Sequence, residues 1–336
     1  MKKVTIIAEI GVNHDGDVSK AKQLISEAKS AGADIVKFQT FSANTLASTS
    51  AATAKYQHSS TKISSQQELL ANLELTCKEF RVLKEFCDIT NIEFLSTAFD
   101  SDSLEFLLSL GMERIKVPSG EITNTPFLKQ IAAQKKDIIL STGMSTETEI
   151  TYALDVLRKN GARTNNITVL HCTTNYPARI DELNLRALSL LRKKTGLEVG
   201  YSDHSVGEMA SIIAISLGAK IIEKHITLDR KSTGPDHKAS MEINEFAHFV
   251  ETIRKTEIAL GEEVKVPSSA EIENRELVRK SIYVAKPIQK GEIFEEANLI
   301  TMRPADGLSP VFWDDLIGKP SKRFYSTGER IDKHEI

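Results

Sequence analysis

Apolar positions along the chain switch between two periods. Short runs rich in β-branched residues at 4–10, 33–40, 92–97, 114–117, 137–141, 167–171, 197–201 and 220–223 predict strands. Between most of them, apolar residues recur at helical spacing. In the first such stretch Ala21, Leu24, Ile25 and Ala28 form one apolar face, opposed by Lys20, Lys22, Glu27 and Lys29. Gly32, Gly111, Gly161, Gly196 and Gly218 each stand between a helical stretch and the next strand, where the left-handed conformation that closes a helix favours glycine. About eight such β-then-α units in roughly 260 residues predict a (β/α)8 TIM barrel.

Two intervals depart from this rhythm. Residues 41–70 are rich in Ser, Thr, Ala and Gln with little periodicity, and read as a long loop on the face where barrel active sites lie. After a last barrel helix over residues 243–260, residues 262–279 read as a charged linker with some helical character. Residues 280–336 read as a small, mostly-β domain of short strands and turns, one turn at Gln289 to Glu292, with Trp313 and Phe312 as packing anchors. The expected domains are therefore a catalytic barrel over 1–261, the linker, and the small tail domain.

Composition narrows the class without naming a function. The 336 residues are 40% hydrophobic and 26% charged, ordinary for a soluble globular protein, and the formal net charge is −3. That balance gives no general attraction to nucleic acid or to a membrane surface, so any anion is held by a few local cations. No apolar run approaches a membrane span, and Met1-Lys2-Lys3 leads into strand pattern without a cleavage site, so the first residue is expected to be the mature start. Cys77, Cys87 and Cys172 cannot all pair and lack metal-type spacing, so a reducing cytoplasm is expected.

Chemistry concentrates at the carboxyl ends of the predicted strands, where barrel enzymes place their sites. These ends carry Glu9, Lys37 with Gln39, Thr97, Lys116 with Ser119 and Glu121, Ser141, His171, His204 and His225. Such positions are normally apolar and an unpaired charge there is costly, so a ring of polar groups points to ligand binding. His204 and His225 lie one βα unit apart, so parallel neighbouring strands bring both imidazoles to one end of the sheet, with Asp236 nearby, to hold a divalent transition metal. Lysine charge, hydroxyls and N–H groups near helix starts, in Lys116 to Glu121 and Ser141 to Met144, suit phosphate or carboxylate oxygens. Taken alone, Ser141 and Ser145 read as helix caps, Asn13 to Gly16 as an Asx turn capping the first helix, and His171 with Cys172 as packing at a strand end.

Five segments together carry a family resemblance: residues 8–14 (AEIGVNH), 36–40 (VKFQT), 116–121 (KVPSGE), 201–204 (YSDH) and 223–225 (EKH), followed by Gly234-Pro235-Asp236-His237. In this order they resemble the bacterial sialic acid synthases, which include N-acetylneuraminate synthases and their legionaminate and pseudaminate relatives. The tail resembles the antifreeze-like (SAF) domain. The resemblance implies condensation of phosphoenolpyruvate with an open-chain N-acetylated amino sugar, usually N-acetylmannosamine, to give N-acetylneuraminate. It implies Mn²⁺, or Mg²⁺ or Co²⁺, and a homodimer whose swapped C-terminal domain covers the partner's barrel mouth. By motif, His204 and His225 would bind the metal, and Lys37, Lys116, Ser119, Ser141, Thr174 and Ser202 phosphoenolpyruvate. Gln39, Thr97, Tyr176, Asp236 and, across the dimer, Arg303 would serve the sugar; Glu9 would be catalytic beside the sugar or its metal-bound water, and Glu121 would be the candidate proton-transfer group. Thr174 stands where the family often has Asn, with Asn175 next to it.

Three alternatives remain: a legionaminate or pseudaminate synthase using a 2,4-diacetamido-6-deoxyhexose, a barrel aldolase for a sugar phosphate, and a non-catalytic sugar-binding or assembly protein. The aldolase would need a second basic cluster, which the sequence does not display. A metal hydrolase is disfavoured because the first strand lacks a His-x-His pair.

Overall fold

A computed structural model describes residues 3–46, 52, 53, 61 and 63–336, which form two compact units, Met1–Gly261 and Glu262–Ile336. In the first unit eight parallel strands follow one another in sequence order: β1 (Thr5–Gly11), β2 (Ile35–Thr40), β3 (Glu93–Ala98), β4 (Arg114–Val117), β5 (Asp137–Ser141), β6 (Ile167–Cys172), β7 (Glu198–Asp203) and β8 (Ile221–Thr227). Pairing of β1 with β8 closes the ring, so this is the expected TIM barrel. Helices shield the outside, and Ala21, Leu24, Ile25 and Ala28 are the buried residues of Val18–Ser30, as the periodicity requires.

The register sets the height of the polar residues. Glu9 pairs with Lys37 on one side and with His225 on the other, Gln39 with Thr97, Thr97 with Lys116, and Ser202 with Glu223. Gly200 marks a close approach in the barrel wall. A Cβ there would sit 2.5 Å from the Leu170 side chain and 2.6 Å from the Ile221 carbonyl oxygen.

Several local expectations need correction. Strand β8 runs on to Thr227 and is buried throughout, so His225 lies within it rather than after it. Charged Glu223 and Lys224 interrupt the apolar run, which makes the strand look shorter than it is. The first helix is capped by Asp17, whose carboxylate accepts from the Ser19 and Lys20 amides. Asn13 instead donates to the Ile226 carbonyl (2.9 Å) and the Ser240 hydroxyl (2.8 Å), tying the exits of β1 and β8 together. Glu147–Lys159 is capped by Thr146 with Glu149 in a reciprocal capping box, not by Ser141 or Ser145. The interval read as a loop contains helices Ala43–Leu46 and Gln66–Ala71, while residues 47–51, 54–60 and 62 lie outside the described residues.

The second unit includes the linker, of which Ser269–Val278 is helical behind a Ser268–Glu271 capping box. An antiparallel pair, β9 (Ser281–Val284) and β10 (Leu299–Met302), contributes to a small core with Phe294, Leu308, Tyr325 and Ile331. Trp313 packs against this core as expected, whereas Phe312 is 40% exposed. Arg303 directly follows β10. Among the described residues no helix is long and apolar enough to cross a membrane.

Candidate active site at the barrel mouth

Alternation along the strands points Glu9, Lys37, Lys116 and Glu223 to one place, and all four are buried. Lys116 Nζ donates to both Glu223 oxygens at 2.7 Å, Lys37 Nζ lies 2.8 Å from Glu9 and 3.6 Å from Glu223, and Ser202 donates to Glu223 at 2.8 Å. Lys37 also donates to Thr97 at 3.2 Å, and Gln39 to Glu9 at 3.1 Å. The two carboxylates meet opposite fates. Burial pushes Glu9 up to about 7, because Lys37 offsets only part of the desolvation and Glu223 adds repulsion. Burial also opposes ionisation of Glu223, but Lys116 and Lys37 outweigh it and hold that carboxyl well below the usual range.

Above this floor sits the imidazole pair, with ring centroids 5.5 Å apart. His204 Nδ1 donates to the Thr173 carbonyl at 2.7 Å, which leaves Nε2 as the bare nitrogen. Ser202 lies 3.2 Å from that nitrogen, but its proton goes to Glu223, so the Nε2 lone pair is unspent. His225 Nδ1 is buried without a hydrogen-bond partner, 4.0 Å from the Asp236 carboxylate. Burial lowers His204 to about 4 and His225 well below its ordinary value, so both rings are neutral near pH 7. Two bare imidazole nitrogens suit a borderline transition ion. Among the described residues no group of three or more side chains gathers in metal-binding geometry, so remaining positions on such an ion would fall to water or substrate.

Three further groups complete the mouth. Gly143 N–H donates to the Ser119 hydroxyl at 2.8 Å, and a Cβ on Gly143 would come within 2.2 Å of the Thr174 hydroxyl and 3.0 Å of Cys172 Sγ. This close-packed cradle of hydroxyls lies beside Ser141 in the cavity wall. Tyr176 stacks 4.2 Å from His204. Asp236, raised to about 6 by burial, is held by the loop before Ser240, whose hydroxyl donates to the Asp236 carbonyl at 2.7 Å. A chain from Thr227 through His237 to Asp15 braces the same loop, at 2.8 and 3.0 Å.

The cavity so formed measures about 250 Å³. It gathers Glu9, Lys37, Gln39, Thr97, Lys116, Ser119, Ser141, Thr174, Tyr176, Ser202, His204, His225 and Asp236 from the sequence expectation. Glu121 is not brought in. It ends the short turn Ser119–Glu121 and its carboxylate accepts from Asn124 at 2.6 Å, away from the cavity wall. His171 is a packing residue, as expected, donating to the Leu183 carbonyl at 2.7 Å and stacking on Tyr201. Glu223, which organises both lysines, stands in the 223–225 motif, yet the motif alone does not point to this role. Its signal was a carboxylate two residues before a predicted metal ligand, on the same strand face. Also unforeseen was the apolar side of the cavity, formed by Val12, Leu69, Leu70, Leu73 and Phe99.

Comparison with known proteins fits this arrangement. The barrel, with two buried lysines, a hydroxyl cradle and an imidazole pair at its mouth, falls among the nonulosonic acid synthases. The chain belongs to the NeuB family, whose model matches residues 24–265, and residues 279–336 match the SAF domain. It is 49% identical over 332 residues to the N,N'-diacetyllegionaminic acid synthase of Campylobacter jejuni, covering 98% of this chain and 99% of the relative. It is 42% identical to the Legionella pneumophila enzyme of the same name, covering 97% and 92%. A crystal structure of N-acetylneuraminic acid synthetase from Leptospira borgpetersenii, in complex with citrate, superposes with a TM-score of 0.72 at 33% identity, over 81% of this chain and 90% of that one. These names favour the legionaminate alternative over the N-acetylneuraminate reading.

Proposed function

We propose that this chain is an N,N'-diacetyllegionaminate synthase, joining phosphoenolpyruvate to an open-chain 2,4-diacetamido-2,4,6-trideoxyhexose with release of phosphate. The observation that carries the sugar is the near full-length identity of 49% to the Campylobacter jejuni synthase. Support for the chemistry comes from the charges at the mouth. Lys37 and Lys116 offset the phosphate and carboxylate of phosphoenolpyruvate, and Ser119, Ser141, Thr174, Ser202 and the turn at Gly143 bind its oxygens.

His204 and His225 are the residues that would hold Mn²⁺, or Mg²⁺ or Co²⁺ in its place, which when bound would act as a Lewis acid toward the aldehyde. Tyr176, Gln39, Thr97 and Asp236 orient the sugar. C3 of the enol attacks the aldehyde carbon, the carbonyl electron pair goes to oxygen, and that oxygen takes a proton from Asp236, which burial keeps partly protonated near neutrality. Water then enters the cationic C2, its proton passing to Glu9. Collapse of the tetrahedral centre turns the new C2 hydroxyl into the keto group, its proton going to the departing phosphate, which leaves with the electron pair of its bridging C2–O bond. Glu9 takes the proton-transfer role in place of Glu121 because it lies in the cavity with a value near 7, where a general base works best. The active form is a homodimer, with Arg303 serving the acetamido group of sugar bound by the partner.

Phosphate release from phosphoenolpyruvate with Mn²⁺ tests the reading. Turnover is expected with the diacetamido sugar at a kcat/KM at least about tenfold above that for N-acetylmannosamine. Better turnover of N-acetylmannosamine returns the protein to N-acetylneuraminate synthesis, and absence of sugar-dependent release removes the catalytic reading altogether.

A further inference from the structure

The cavity has two chemically different ends. Ser119, Gly143 and Thr174, on the turns after β4, β5 and β6, form the hydroxyl and N–H cradle. Val12, the Leu69–Leu73 segment and Phe99 follow β1, β2 and β3. In a closed ring of eight strands β2 lies across from β6, so the apolar end faces the cradle from the far side of the mouth. The imidazole pair belongs to β7 and β8, between the two ends.

The apolar end has its own packing. Val12, Phe41, Leu69 and Leu73 are buried together in a cluster separate from the barrel core, with Leu70 and Phe99 only partly buried at its edge. Phe41 meets Phe99 nearly edge-on, with centroids 6.2 Å apart and planes at 78°, which fixes the ring. The helix Gln66–Ala71 that presents Leu69 and Leu70 is itself capped by Ser65. This is a preorganised surface, and the five side chains that line it carry no hydrogen-bonding atom.

Accepting from the proposed function that phosphoenolpyruvate lies on the cradle and the sugar aldehyde at the imidazoles, the sugar chain extends away from the cradle. We infer that the wall made by Val12, Leu69, Leu70, Leu73 and Phe99 receives the C6 methyl of a 6-deoxy sugar, with Leu70 and Phe99 as the residues that select it over a 6-hydroxy sugar. A methyl against this wall leaves water for carbon contacts. A C6 hydroxyl there gives up its hydrogen bonds to water and finds no replacement among these five side chains. A single group in an apolar pocket is worth about 10- to 200-fold in kcat/KM.

The test compares N-acetylmannosamine with its 6-deoxy analogue, two sugars that differ at C6 alone. The wild-type protein is expected to favour the 6-deoxy sugar by at least about tenfold. Leu70→Asn and Phe99→Ser should bring the ratio close to one, mainly by raising KM for the 6-deoxy sugar, while KM for phosphoenolpyruvate holds. A wild-type ratio near one overturns the inference, as does an undiminished ratio in variants with wild-type circular dichroism and melting. If both variants fail to fold, the wild-type ratio decides alone. Turnover of neither sugar also overturns it. Neither probe carries a 4-acetamido group, so the result is separate from whether the diacetamido sugar is preferred. N-acetylmannosamine winning the earlier comparison, with the C6 preference intact here, would reject the legionaminate reading and keep the wall.

Discussion

Glu9 and Glu223 show how environment divides labour between identical side chains. Glu223 accepts two short bonds from Lys116 and one from Ser202, while Glu9 has Lys37 and a neutral amide. A carboxyl raised to about 7 is protonated on the acid side of that value and ionised above it. If Glu9 accepts the water proton, kcat/KM must climb as pH rises through about 7, and Glu9→Gln should remove that limb as well as most of the rate. A limb unchanged in the variant would assign the titration to another group. Folding runs the opposite way: Glu9 binds a proton more tightly in the folded state, so its contribution to stability falls as pH rises from 4.5 toward 7. Glu223→Gln should cost about 3–5 kcal/mol in denaturant unfolding, because two buried ammonium groups lose their shared counter-charge. Lys116→Ala should raise KM for phosphoenolpyruvate with little change in KM for the sugar. The charged ring was legible from the sequence because charge at a strand end is unusual. Which carboxylate faces the cavity was not, since Glu121 and Glu9 both sit in motifs and only the turn at Ser119–Glu121 directs the former toward Asn124.

At the scale of strands and turns, two glycines separate function from stability. An alanine at 143 presses on the Thr174 and Ser119 hydroxyls and on Cys172 Sγ, side-chain atoms whose displacement disturbs the cradle rather than the backbone. Gly143→Ala should therefore keep its melting temperature and raise KM for phosphoenolpyruvate about tenfold, the worth of a lost charge-assisted contact. An alanine at 200 meets the Ile221 backbone, which cannot move without opening the barrel. Gly200→Ala should lose about 1–3 kcal/mol in thermal or denaturant unfolding. Element existence was readable wherever apolar period and a closing glycine coincided. Caps were less so, because Asn13, Asp15 and Asp17 all have the chemistry and only backbone direction chooses Asp17. The interval after β2 hid the helices Ala43–Leu46 and Gln66–Ala71 because each is a turn or two long, too short for periodicity to register.

For the whole molecule, order along the chain becomes order around a ring, and this is why residues more than 200 positions apart share one cavity. Glu9 and His225 are paired neighbours across the barrel's closing seam. That convergence, and the family, were legible from the motifs in sequence. The choice of sugar was not, because the apolar side of the cavity draws Leu69 and Leu70 from the segment of weakest pattern. Removal of metal by a chelator should abolish phosphate release and added Mn²⁺ should restore it. His225→Ala should lose Mn²⁺ binding in calorimetry while retaining its fold.

The most direct test is a competition. Equal amounts of N-acetylmannosamine and the 2,4-diacetamido-2,4,6-trideoxy sugar are incubated with phosphoenolpyruvate, Mn²⁺ and the protein, and the products are read by mass spectrometry. The diacetylated nonulosonate should dominate, by at least about tenfold. A mixture in which N-acetylneuraminate prevails, or in which neither acid forms, would contradict the account.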